Sequence, residues 1–89
     1  MIHMTEWTVA VELTEIDGRT HATAVLHAGT SYEVRGVGSA RKAPADVDVP
    51  EIGDELATAR ALVDLSHHLM EVAAADIEGM TRLPARITS

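Results

Sequence analysis

The run VRGVGSARKAP at residues 34–44 gathers residue types that grip phosphate: Gly36 and Gly38 one residue apart, Ser39, and the adjacent cations Arg41 and Lys42. A phosphate-binding P-loop needs Gly-Lys-Ser/Thr after four residues intervening from its first glycine, and neither Gly36 nor Gly38 is followed by that sequence. The dinucleotide fingerprint needs a third glycine where Arg41 stands, with a helix directly after it. Neither chemistry fits. The run reads as a strand end that Gly36 and Gly38 allow to bend or bulge against a packed neighbour. What remains chemically distinctive is a small basic cluster, Arg35, Arg41 and Lys42, abutting the acidic segment from Asp46 to Glu55.

Other constellations are weaker. His67 and His68 are neighbours on a helical stretch, about 100° apart, so they do not converge on one ion. His21 and His27 are too far apart along one strand to share a metal. Ser31, Ser39 and Ser66 lack the G-x-S-x-G elbow that sets a nucleophile beside its base. Asp54 and Glu55 sit where a helix N-terminus accounts for them. A small sheet with one helix also offers little concavity for a substrate. The expectation is a protein that is not an enzyme and holds no metal and no cofactor.

These residues are carried on a chain of 89 residues, enough for one domain (1–89) with one thin core. Its apolar residues are mostly Ala, Val and Leu, with no Phe, one Trp and one Tyr, so each buried side chain contributes little area. From Glu6 to Ile16 apolar residues alternate, placing Trp7, Val9, Val11 and Leu13 on one face of a half-buried strand. Asp17-Gly18 supplies a tight hairpin turn. A second strand over 19–28 turns Ala22, Ala24 and Leu26 inward, and a third spans 31–40. Three strands joined by short turns imply an antiparallel meander.

The proline-containing stretch 42–51 reads as a loop. It leads into a helix over about 52–78, capped by Asp48 with Glu51 or by Gly53 and stopped at Gly79. Ile52, Leu56, Ala59, Leu62, Val63, Leu69, Met70, Ala73 and Ile77 form its broad apolar stripe, with Arg60, Asp64, His67, His68 and Glu71 opposite. A tail over 79–89 carries Arg82 and Arg86. The fold class is α+β: a three-stranded antiparallel meander packed against one long C-terminal helix, β-β-β-α. Such a helix outreaches the strands, leaving apolar positions near Val72, Ala73, Ile77 and Met80 and two sheet edges open to pairing. A homodimer is the expected remedy; the alternative is a monomer whose tail folds back over the exposed end through Leu83 and Ile87.

Fourteen acidic residues against seven basic give a net charge of −7, which opposes nonspecific attraction to nucleic acid. The N-terminus lacks a basic segment followed by an apolar run, and nothing approaches about 18 consecutive apolar residues, which predicts a cytoplasmic protein without membrane attachment.

The runs EWTVAVEL, RTHATAVL, RGVGSAR, VPEIGDELATARALVDLSHHL and AADIEGMTRLPAR together resemble a family of small actinobacterial proteins of unknown function with a double-stranded-RNA-binding-domain-like fold. The pattern IGDEL-x-x-ARAL-x-DL is the most specific part. The resemblance implies β-β-β-α, a homodimer and a link to dormancy or stress, with a likeness in outline to ribosome hibernation factors. It also invites comparison with the Gly-x-Gly-x-Ser-Lys-Lys motif of duplex-RNA-binding domains, which Gly36, Gly38, Arg41 and Lys42 match loosely. Yet the acidic loop and the helix start at Glu51, Asp54 and Glu55 replace the lysines of that motif, which argues against autonomous binding of double-stranded RNA. The resulting expectation is a dimeric binding protein acting on the ribosome through Arg35, Arg41, Lys42, Arg82 and Arg86. A protein–protein adaptor with no ribosomal role is the alternative.

Overall fold

The computed structural model describes residues 2–29, 32–41 and 50–81. Strands β1 (Thr8–Ile16), β2 (Arg19–Ala28) and β3 (Tyr32–Arg41) form an antiparallel sheet in the order β1-β2-β3, and helix α1 (Pro50–Thr81) follows. This is the β-β-β-α arrangement expected. Asp17 and Gly18 both take positive φ, 49° and 72°, which gives a two-residue hairpin and fixes Ile16 opposite Arg19. The register then runs without a bulge through both ladders.

Helix α1 begins at Pro50, whose fixed φ suits the first helical position, and Glu51 places its charge at the positive end of the helix dipole. Gly53 is therefore inside the helix and is not its N-cap; a Cβ there would meet Thr20 Oγ1 at 2.9 Å. Asp48 lies outside the described residues. Gly79 does not stop the helix either, since α1 continues to Thr81. At 32 residues the helix is roughly 48 Å long while the strands span roughly 30 Å, so it runs past the sheet, and the molecule extends 53 Å.

The core lies between α1 and the inner halves of β2 and β3. It comprises Ala22, Ala24, Leu26, Val34, Ala40, Ala57, Ala61 and Leu65, with Leu69 and Val72 packed against it. Directly paired residues share a face, so the helix side of the sheet reads in rows from β3 to β1 as Val34-Leu26-Val9, Gly36-Ala24-Val11 and Gly38-Ala22-Leu13. Along the last two rows side chains grow from nothing to a methyl to a branched group. The helix settles at the small end.

Its seat explains the glycines. A Cβ on Gly36 would overlap Leu65 N and Ala61 O, and one on Gly38 would lie 2.6 Å from Ala57 O, closer than real Cβ contacts come. Gly36 and Gly38 thus create no bulge in the strand. They admit the helix backbone.

Two expectations about faces are corrected. Val9, Val11 and Leu13 are on the helix side but stay 41%, 36% and 43% exposed, because α1 sits on β3 and β2 and leaves β1 uncovered. On α1 the buried stripe is Ala57, Ala61 and Leu65, whereas Ile52, Leu56, Leu62 and Val63 are exposed. Close packing on two glycines selects the helix's own smallest residues, not its broadest apolar stripe.

Candidate partner-binding surface

Sequence spacing placed Arg60, Asp64 and His68 on solvent; Arg60 and His68 are exposed and Asp64 is half-buried, and all three also reach the free edge of β3. Val37 N–H donates to Asp64 Oδ2 at 2.8 Å, Arg60 Nη1 donates to the Ser39 carbonyl at 2.7 Å, and His68 Nδ1 lies 2.8 Å from the Arg35 carbonyl. A carbonyl only accepts, so His68 carries its proton on Nδ1. The same nitrogen is 3.8 Å from Asp64 Oδ2. Three side chains at i, i+4 and i+8 thereby occupy three backbone groups along one strand.

Asp64→Ala is expected to cost about 1 kcal/mol, by leaving the Val37 N–H to water, while Asp64→Asn retains an acceptor and falls between. Thermal melts rank the three proteins. Faster amide exchange at Val37 in Asp64→Ala locates the loss.

The opposite face of the sheet carries no helix, although Val25 on it is buried. It carries the odd-numbered residues of β2 and β3 and the even-numbered residues of β1. Arg35 sits here with a side chain 63% exposed, 3.3 Å from Glu33, which also lies 3.5 Å from His27 Nδ1. Arg41 ends β3 on this face, directly across from Arg19. Lys42, Arg82 and Arg86 lie outside the described residues. Arg35 and Arg41 are six positions apart on one strand, roughly 20 Å, so they do not converge.

The residue that sequence reasoning missed is Arg19. Two like charges directly opposite each other cost stability. In the Ile16-Arg19-Arg41 row and its neighbour, Thr14-His21-Ser39, this face carries no carboxylate. The register thus sets two cationic residues side by side at one end of this face, with Asp17 in the adjoining turn, on a protein that is acidic as a whole. Both hairpin loop lengths were needed to find it, because only the full register sets residue 19 against residue 41.

Among the described residues no group of three or more His, Cys, Asp or Glu side chains could hold a metal ion, and no helix is long and apolar enough to cross a membrane. A depression on α1 between Asp54, Glu55, Thr58, Ala59 and Leu62 is wide open to solvent.

Comparison with known proteins adds a lineage. A family model described as Rv2632c-like matches residues 5–86. Uncharacterized protein MT1780 of Mycobacterium tuberculosis is 49% identical over 81 residues, covering 91% of this chain and 85% of the relative. Uncharacterized protein Rv2632c of the same species is 46% identical over 76 residues, 85% of this chain and 81% of the relative. The crystal structure of Rv2632c superposes with a TM-score of 0.81 at 42% identity, covering 93% of this chain and 98% of that one.

Proposed function

The chain belongs to the Rv2632c-like family, and from that footing we propose that it is a non-enzymatic binding protein that works as a cytoplasmic homodimer on the ribosome during stress or dormancy. The observation that carries the reading is the Arg19–Arg41 pair. Two cations held side by side on a flat sheet face, with no carboxylate in the adjacent row, suit a phosphate-bearing surface more than a small substrate. A cleft would be needed for the latter.

The net charge of −7 sets the strength of such an interaction. Only the local corner attracts phosphate while the rest of the molecule repels it, so binding is specific to a shaped site and weak on generic duplexes. The ribosomal and dormancy elements rest on the resemblance in sequence to proteins of that outline. The surface supplies the chemistry by which they would operate.

Ribosomes pelleted from starved cells at low salt are expected to carry the protein and to release it as salt rises. Charge reversal at Arg41 and Lys42, with or without Arg19, is expected to abolish pelleting. Neutralising a single cation should flatten the salt dependence by about one unit of log–log slope. Ribosomes free of the protein under these conditions overturn the reading. Association that persists through nuclease treatment and tracks a protein partner instead selects the adaptor role.

A further inference from the structure

The two edges of the sheet are not equivalent, and their difference points to where a second copy binds. Bonds from Asp64, Arg60 and His68 to Val37, Ser39 and Arg35 place the odd-numbered backbone groups of β3 on its outer edge. Successive residues in an antiparallel strand direct their N–H and C=O groups to alternate sides. The even-numbered residues of β3 therefore bond to β2. Carried through the register, this parity has the odd residues of β2 bond to the even residues of β1. Val9, Val11 and Leu13 are left with backbone donors and acceptors on the free edge of β1. Their side chains, on the helix side, are also the ones α1 fails to cover.

We propose that β1 pairs with β1 of a second copy, antiparallel about a two-fold axis at Val11, to make one continuous six-stranded sheet. This rests on the homodimer of the proposed function and gives it a geometry. The register follows from charge and overlap. An axis at Glu12 would set Glu12 against its own copy, which like-charge repulsion disfavours. An axis at Ala10 keeps only residues 8–12 of the strand in register, and one at Leu13 keeps residues 10–16 but sets the Glu15 carboxylate against Val11 on the apolar side and leaves Val9 unpaired. An axis at Val11 keeps residues 8–14, pairs Val9 with Leu13, and sets Glu12 across from Ala10.

The occupant is a second copy and not nucleic acid, because this edge carries Glu12 and Glu15 and no cation between Thr8 and Ile16. By helical spacing, Leu62 lies on the flank of α1 away from Asp64, so it walls the trough above the new strand pair. On the helix-free face, the Arg19–Arg41 corners of the two copies fall at opposite ends of the six-stranded sheet, roughly 40 Å apart by strand rise and spacing. A dimer would then present two phosphate-binding corners on one surface.

The chain has no cysteine, so one introduced thiol reports its own neighbour. Val11→Cys places two thiols across the axis at a Cα separation near 5.5 Å, within disulfide reach. Thr14→Cys places them roughly 20 Å apart. Under mild oxidation of the full-length protein, Val11→Cys is expected to give a covalent dimer on a non-reducing gel and Thr14→Cys is not. Val11→Pro removes only an edge N–H, so it is expected to sediment as a folded monomer with wild-type circular dichroism.

Sedimentation of the wild type separates the two ideas. A monomer at tens of micromolar overturns the homodimer and this geometry together. A dimer in which Val11→Cys links no better than Thr14→Cys overturns only the geometry.

Discussion

Replacing Gly36 with alanine is expected to destabilise the fold by about 3 kcal/mol, through steric overlap and not through any change in backbone preference. The added methyl would occupy space already held by Leu65 N and Ala61 O. Those are backbone atoms of a regular helix, so no side-chain rotation relieves the overlap. The whole helix must rise from the sheet, which loosens Ala57, Ala61 and Leu65 from Ala22, Ala24 and Leu26 at once. A loss of that size lowers the melting temperature of a chain this short by roughly 12–24 °C. Gly79→Ala is the matched control: nothing lies near its position, and removing a glycine from a helix is expected to raise stability by a few tenths of a kcal/mol. Opposite signs from one chemical change, read by thermal or urea denaturation, test the close-approach account. Equal effects would refute it.

Much of this architecture was legible in the sequence because it depends on local signals. Asp17-Gly18 states its turn by residue type, and alternation in 6–16 states its strand. What the sequence did not disclose depends on register. Val11 and Leu13 look like any inward strand residues until Gly36-Ala24-Val11 and Gly38-Ala22-Leu13 are aligned as rows and the gradient in size appears. The helix's orientation follows from that gradient, so the broad stripe through Leu56, Leu62 and Val63 misleads. Arg60, Asp64 and His68 do face water as their helical spacing indicates, but their bonds to the neighbouring strand edge depend on where the helix sits and so could not be read from spacing. The candidate contacts fared similarly. Arg35 is tied to Glu33, Arg41 gains Arg19, and the pairing of the last two is a property of the ladder.

The same geometry makes a second large effect. Leu65→Ala is expected to cost about 3 kcal/mol, since Leu→Ala at buried sites spans roughly 2–5 kcal/mol. Among the buried hydrophobic residues, most are alanines, and the larger ones are Val25, Leu26, Val34 and Leu65. Removing Leu65 therefore takes a large fraction of what the core has, against a total stability on the order of 5 kcal/mol for a chain of this length. The glycine seat also limits recovery, because Leu65 packs where α1 is already in backbone contact with β3 and cannot settle further. Leu62→Ala, three positions earlier and 41% exposed, is expected to change monomer stability by less than about 0.5 kcal/mol. Its effect would instead grow with protein concentration if the flank is covered in a dimer, because association adds stability by mass action. Denaturation midpoints of both variants across a hundredfold range of concentration separate the two roles: Leu65→Ala should stay low throughout, and Leu62→Ala should diverge from wild type only where the wild type is dimeric.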